Sequence, residues 1–172
     1  MMNKDDKPLQ QIVRRIHEAK SNDVSQCNCD LKKEVIYYKL HSKGPLINDT
    51  SDPRYQSLKF KQFTLISQDS KNQYCSSING DIVKIYNISY HKKLQCEVVL
   101  GRTFLNKENV FTLLCLSSKL GIYEVHTLSK LASWPVHHID SKICLYQIPR
   151  KKSKYAAFPL LHIDKDEVPK IQ

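Results

Sequence analysis

The feature of this sequence that most constrains its fold is a succession of short runs rich in β-branched and aromatic residues, each closed by turn-forming residues. Runs of this length and composition are typical of antiparallel strands. The chain has only 4 glycines in 172 residues, which argues against the glycine-rich phosphate loops of dinucleotide folds. The candidate strands lie at 34–41, 57–66, 81–90, 94–100, 110–116, 122–128 and 139–148. Five to seven short strands favour a small, strongly bent antiparallel barrel over a sandwich or a parallel sheet.

Two of these runs carry more detailed expectations. In 57–66 the apolar alternation slips by one residue near Lys61-Gln62, which predicts one strand with a β-bulge. The run 110–116 is nearly continuous in apolar residues, which predicts a buried strand. Asn79-Gly80 is a turn signal, and the strand that follows it is predicted to pair with 94–100 as a hairpin.

The ends of the chain differ from this strand-rich centre. Leu9, Ile12, Val13 and Ile16 recur at helical spacing behind Pro8, which predicts one short amphipathic helix within 8–20. The expected organisation is an N-terminal helix and loop at 1–30, a barrel domain at 31–148 and a basic, proline-containing C-terminal extension at 149–172.

Charge is the strongest hint of a partner. The chain carries 27 Lys and Arg against 17 Asp and Glu, a formal charge of +10. Such an excess points to a polyanion, and nucleic acid is the first candidate. No apolar run approaches 20 residues and the N-terminus is charged, so we expect neither a membrane span nor a secretory signal. The six cysteines are therefore expected to be reduced intracellular thiols.

Catalytic and metal-binding patterns are not evident in the sequence. The motifs G-x-S-x-G and H-E-x-x-H do not occur, and Cys27-Asn28-Cys29 lacks the second pair of a structural zinc site. His137 and His138 are adjacent, so on a strand they would point to opposite faces. The carboxylates are scattered. We therefore expect no enzymatic activity, no metal and no cofactor.

Basic and aromatic residues alternate on three of the predicted strands. Tyr37 and Lys39 share one face of 34–41, opposite the face of Tyr38, and Lys84 and Tyr86 share the predicted outer face of 81–90. This pattern suits single-stranded nucleic acid, because aromatic rings stack on bases while lysines and arginines follow the phosphates.

The segment 78–85 (INGDIVKI) resembles the turn-and-strand signature of the telomere end-binding family, which includes the protection-of-telomeres proteins and the alpha subunit of the ciliate telomere-end-binding protein. In that family a G-D-I-[IV]-R run opens a strand of the first OB-fold and continues through a hydrophobic residue to His-Arg. Gly80-Asp81-Ile82-Val83 match this run, whereas Lys84 stands where the family has Arg and Tyr86-Asn87 where it has His-Arg. The family's arginine at the second of those positions contacts nucleic acid. The stretches 94–101 and 104–116 resemble the family's hairpin return and closing strand.

The resemblance implies a single five-stranded OB-fold barrel that binds the G-rich single-stranded DNA of chromosome ends in the nucleus. An accessory subunit of a telomere or replication complex, acting through protein contacts of the helix at 9–19 and the run 110–116, is the alternative. RNA also stays open, because the same stacking surface accepts either nucleic acid. The candidate contact residues are Tyr37, Lys39, Lys59, Lys61, Lys84, Tyr86, Asn87, Tyr90, His91, Arg102 and Phe104.

Overall fold

The computed structural model describes residues 34–160, and this part of the chain is an antiparallel β-structure with two short 3-10 helices. The predicted class, mainly β and antiparallel, is confirmed. The predicted five-stranded barrel is wrong, because these residues form ten strands. The predicted helix within 8–20 lies outside the described residues. The elements are β1 (Ile36–His41), β2 (Thr50–Lys59), β3 (Thr64–Ile66), β4 (Tyr74–Ser77), β5 (Ile82–His91), β6 (Cys96–Asn109), η1 (Ser117–Leu120), β7 (Tyr123–Leu128), β8 (Ala132–Pro135), η2 (Val136–His138), β9 (Ile139–Gln147) and β10 (Tyr155–Pro159).

Six of the strands pair into a closed ring. The ring runs β4–β5–β6–β7–β10–β9 and returns to β4, with every pairing antiparallel. Closure leaves none of these six strands as a free edge, which is how barrels satisfy their backbone hydrogen bonds. The inside of the ring is filled by a buried cluster of Ile82, Phe104, Val125, Ile143 and Ala157.

Two long strands of the ring, β5 and β6, also belong to a second layer. Residues 88–91 of β5 pair with β2, and residues 98–101 of β6 pair with β8. The strands β1 and β3 extend this layer by pairing with β2. Its core is a separate cluster that includes Leu58, Leu65, Val83, Ile85 and Ile88. Strand β5 therefore serves the ring with one face and the second core with the other.

A β-bulge and a glycine shape the contact between β5 and β6. The register between these strands shifts between Ile85 and Asn87, so Tyr86 is an extra residue without a partner on β6. Gly101 lies opposite Ile85, and a Cβ atom there would sit 2.6 Å from the Lys84 carbonyl oxygen. Only glycine permits that close approach of the two backbones.

The run 57–66 is a hairpin, so the predicted single strand with a β-bulge is wrong. The chain reverses after β2 at Lys61 and Gln62, and the Phe60 N–H donates to the Phe63 carbonyl at 2.8 Å. Leu58 then lies directly opposite Leu65, and both side chains are buried in the second core. A tight turn changes the phase of the apolar alternation in the same way as a bulge does, which explains the error.

The run 110–116 is not a buried strand either. It forms a loop between β6 and η1, and Leu113 and Leu114 are 83% and 78% exposed. The base of this loop is closed by Ser117, whose hydroxyl accepts from the Val110 N–H at 2.9 Å and donates to the Ile122 carbonyl at 2.9 Å. The ring is complete without these residues, so no position in the sheet is left for them.

Strand β10 lies within the range that the sequence analysis placed in a C-terminal extension. It pairs with β9 on one side and with β7 on the other, and so it supplies the last strand of the ring. The barrel therefore continues to Pro159, and residues 161–172 lie outside the described part of the chain.

Candidate nucleic-acid interface

A row of one aromatic and two basic residues crosses three neighbouring strands of the ring. Lys84 on β5 lies directly opposite Tyr74 on β4 and directly opposite Arg102 on β6. Residues opposite each other in antiparallel strands share a face and come within about 5 Å at their Cβ atoms. The local sequence produces this row because Lys84 alternates with the buried Val83 and Ile85 along β5.

Tyr86 extends this row and lies close to both of its cations. The Lys84 Nζ is 5.3 Å from the centroid of the Tyr86 ring, and the Arg102 Cζ is 5.5 Å from it. Cations at such distances from a ring are attracted by its quadrupole. The bulge in β5 leaves Tyr86 without a cross-strand partner on β6. Neither cation has a carboxylate partner among the ion pairs of residues 34–160.

A cleft of about 280 Å³ opens beside this row, and we call it the mouth cleft. The rings of Phe104 and Tyr155 form part of its wall, with centroids 6.3 Å apart and an interplanar angle of 56°. Burial raises the pKa of the Tyr74 hydroxyl, and the nearby hydroxyls of Tyr155 and Tyr86 raise it further. The cleft is lined by Tyr74, Lys84, Phe104, Thr127, Leu128, Ser153 and Tyr155. Its walls therefore combine aromatic rings with a cation and contain no carboxylate.

Four of the eleven predicted contact residues come together here: Lys84, Tyr86, Arg102 and Phe104. Phe104 is 6% exposed and belongs to the ring interior, so it supplies a wall of the cleft and only a small accessible surface. The alternation of basic and aromatic residues along β5 was the sequence signal that identified Lys84 and Tyr86.

Asn87 lies in the protein interior. Its side chain is fully buried, its Nδ2 donates to the Pro45 carbonyl at 2.8 Å, and its Oδ1 accepts from the Ile88 N–H at 3.0 Å. The amide group is therefore used to hold the chain around Pro45 onto β5 and does not face a ligand.

On β1 the structure reverses the expected faces. Tyr37 turns toward the second core and packs on Tyr55, with ring centroids 5.0 Å apart, and burial raises the pKa of its hydroxyl to about 12. Ile36, Tyr38 and Leu40 are exposed instead. Among residues 34–160, strand β1 pairs with β2 alone and so covers the core with a single face. Alternation along the strand could not indicate which face that is.

The other predicted contact residues lie apart from the mouth cleft. Lys39 and Lys59 are exposed on β1 and β2, and Lys61 is exposed in the β2–β3 turn. Tyr90 and His91 end β5, where the His91 Nδ1 accepts from the Leu94 N–H at 3.3 Å within the β5–β6 turn.

Two aromatic residues of the cleft are not among the predicted contact residues. Tyr74 lies in a polar stretch between the candidate strands 57–66 and 81–90, and Tyr155 lies in the expected extension. The only signal for the second was the short run 155–158 (YAAF) between the lysines and Pro159. Both residues reach the cleft through pairings of β4 and β10 that local composition does not specify.

Two of the four cations in the basic cluster at 150–154 are hydrogen-bonded to one internal carboxylate. The buried Glu124 accepts from the Lys151 Nζ at 2.8 Å and from the Lys154 Nζ at 2.5 Å. The hydrogen bonds from Lys151 and then Lys154 lower the pKa of the Glu124 carboxyl group. Arg150 and Lys152 remain exposed.

Two further findings concern residues 34–160. Nowhere in this part of the chain do three or more His, Cys, Asp or Glu side chains cluster so that they could hold a metal ion. Its helices are too short and too polar for any of them to cross a membrane.

Comparison with known proteins adds one family assignment. Residues 40–160 match the model of a family described as a domain of unknown function, DUF8592. No curated protein and no solved structure matches the chain. The matched range begins within β1 and ends directly after β10, so it includes the complete ring and the mouth cleft. The chain belongs to the DUF8592 family.

Proposed function

We propose that this protein binds single-stranded nucleic acid at the mouth cleft and the adjoining row of basic and aromatic residues. The observation that carries the proposal is the position of the Tyr86 ring within 5.5 Å of both the Lys84 and the Arg102 cation, beside a cleft walled by Phe104 and Tyr155. Aromatic rings interleaved with cations that lack carboxylate partners form the kind of surface on which bases stack and phosphates are neutralised.

Binding at this surface requires no covalent chemistry. A base stacks on the accessible part of a ring through its π face, and that contact is tolerant of sequence because every base has such a face. The two cations attract the phosphates on either side, and the formal charge of +10 draws the polyanion toward the protein. The proposed role is therefore that of a binding protein and not of an enzyme.

G-rich single-stranded DNA at chromosome ends, in the nucleus, is the ligand that we propose first. The support is the match of Gly80-Asp81-Ile82-Val83 to the telomere end-binding signature. Gly80 adopts a φ of +80° in the turn before β5, and its N–H donates to the Ser77 carbonyl at 2.8 Å. The signature thus shapes the entry into the strand that carries Lys84 and Tyr86. Matched G-rich DNA, T-rich DNA and RNA oligomers in competition will rank the three ligands.

The test is fluorescence anisotropy with labelled oligonucleotides over a salt series. Loss of one stacked base contact costs about 1–3 kcal/mol, so Tyr86→Ala should weaken binding about 5- to 150-fold. Lys84→Ala with Arg102→Ala should lower the slope of log K against log salt by about 1.4, at about 0.7 for each phosphate of a single strand. Tyr38→Ala, an exposed tyrosine on β1, is the matched control and should bind as the wild type does.

Thermal unfolding of each variant shows whether it is folded at the assay temperature. Wild-type protein without measurable affinity for any single strand at low salt would refute the proposal. So would a folded Tyr86→Ala variant that binds as tightly as the Tyr38→Ala control.

A second candidate function, protein–protein contact within a nucleic-acid complex, is favoured by the loop 110–116. Its Leu113 and Leu114 are almost fully exposed, and Leu114 has a φ of +71°, an unfavourable conformation for a branched side chain. Exposed adjacent leucines on a loop with a hydrogen-bonded base suit insertion into an apolar groove of a partner.

Two sets of variants separate the two functions. Leu113→Ser with Leu114→Ser should disrupt assembly with a partner and leave oligonucleotide affinity unchanged. Lys84→Ala with Tyr86→Ala should do the opposite. If both sets leave assembly intact, the loop is not the contact surface.

A further inference from the structure

The hairpin between β9 and β10 lies beside the mouth cleft and is fastened to the outside of the ring. Its residues Lys151 and Lys154 both donate to the buried carboxylate of Glu124 on β7. Within the hairpin, the Ile148 N–H donates to the Lys154 carbonyl at 3.1 Å, and the Lys151 N–H donates to the Ile148 carbonyl at 3.2 Å. The hairpin is thus held in place by its own backbone and by two charge-assisted hydrogen bonds.

The hydrogen bonds to Glu124 divide the four cations of the hairpin into a bonded pair and an unbonded pair. Lys151 and Lys154 are engaged by Glu124, whereas Arg150 and Lys152 are exposed and have no carboxylate within the ion-pair distance among residues 34–160. Arg150 and Ser153 have φ angles of 65° and 64°, so the chain turns sharply on both sides of Lys152. Two uncompensated positive charges are therefore presented on an ordered loop.

A second cleft, of about 440 Å³, follows the same hairpin and is lined by residues 146–152. Tyr146 lines it and is 62% exposed, so its ring is open to a stacking partner. The next residue after this lining, Ser153, lines the mouth cleft. The two clefts are thus joined through consecutive residues of one loop.

We propose that the hairpin cleft is a second subsite for the same single strand, which leaves the mouth cleft across Ser153. Tyr146 stacks on a base there, and Arg150 and Lys152 bind phosphates. This inference rests on the proposed function, because it extends the strand that the mouth cleft holds. A preorganised loop loses little conformational entropy on binding, so its contacts add to affinity directly.

The test uses oligothymidines of about 4 and about 16 nucleotides, which bracket the usual site size of a single-strand-binding barrel. The full chain is titrated by anisotropy over a salt series, with Arg150→Ala plus Lys152→Ala as the variant. With the longer strand the salt slope should fall by about 1.4, as expected for two lost phosphate contacts. Binding of the shorter strand should change less than twofold. Tyr146→Ala should weaken the longer strand about 5-fold or more and leave the shorter one unchanged.

Lys119→Ala is the matched control, because Lys119 is exposed on η1, beyond the Asn109 end of β6 and away from the mouth cleft. The second subsite would be refuted if the wild-type chain binds the longer strand and the hairpin variant and the control show the same slope of log K against log salt. The proposal for the mouth cleft would not be affected by that result. A wild-type chain that binds neither oligothymidine, and that also binds no G-rich DNA or RNA strand of the longer length at low salt, would refute the proposed function, and the subsite with it.

Discussion

Replacement of Asn87 tests whether this residue supports the fold or contacts nucleic acid, as the telomere resemblance implied. Asn87→Ala leaves the Pro45 carbonyl without its 2.8 Å donor and the Ile88 N–H without the 3.0 Å side-chain acceptor. An unsatisfied buried polar group costs about 1–3 kcal/mol. The side chain is fully buried, so its removal also leaves a small cavity. We expect a loss of about 2–4 kcal/mol in the free energy of unfolding.

The assay is urea unfolding at neutral pH, followed by oligonucleotide binding well below the unfolding transition. A loss of that size should lower Tm by about 4–16 °C in a chain of this length. Asn106→Ala is the matched control, because Asn106 is exposed on β6 and its replacement should change stability by less than about 0.5 kcal/mol. Affinity for a single strand should be the same in both variants.

The opposite pattern of results would refute this reasoning. An Asn87→Ala chain as stable as the control shows that the hydrogen bond to Pro45 contributes little. A folded Asn87→Ala chain with a tenfold weaker affinity shows that this residue acts at the nucleic-acid surface, as the resemblance to the telomere end-binding family implied.

Three further predictions concern the barrel itself. Gly101→Ala places a methyl group against the Lys84 carbonyl oxygen, so we expect a loss of about 1–3 kcal/mol in unfolding experiments and weaker oligonucleotide binding; unchanged stability would contradict the close approach. Glu124→Gln removes a carboxylate whose pKa is lowered by its lysines, so the stability deficit relative to wild type should be full above about pH 4.5 and shrink as the pH falls through the lowered pKa. Glu108→Gln, at a more exposed carboxylate, is its control, and a deficit that does not vary with pH would exclude the ionic cause. The pKa of Tyr37 is raised to about 12, so stability should decline as the pH rises from about 10 toward 12; Tyr37→Phe should reduce that decline in alkaline urea titrations, and equal declines would show that Tyr37 does not ionise there.

The part of the candidate site that the sequence predicted is the part that lies along single strands. Lys84 and Tyr86 follow from alternation within β5. Tyr74 and Tyr155 could not be found in this way, because they reach the cleft from strands that are distant in sequence. Cross-strand neighbours depend on register, and register is set by the whole sheet.

The errors in the fold have a related cause. Apolar residues at 110–116 predict burial only if a position in the sheet is available, and the six-stranded ring closes without them. The shift in apolar alternation at Lys61 and Gln62 is equally compatible with a bulge or a tight turn. In the structure Leu58 pairs with Leu65 across two strands, so the shift marks a turn. Local patterns of this kind leave two structures open until the long-range contacts form.

By itself the sequence determined that the chain is built from antiparallel strands with an excess of positive charge, because side-chain alternation and turn residues act within a few positions of each other. Only the tertiary structure decided that six strands close into a ring through β10 and that Tyr37 faces inward. Tertiary contacts likewise tie Lys151 and Lys154 to Glu124 and leave Arg150 and Lys152 exposed. The physical reason is that burial and charge compensation depend on contacts between residues that are distant in sequence. Strand pairing throughout the sheet determines which of these contacts form.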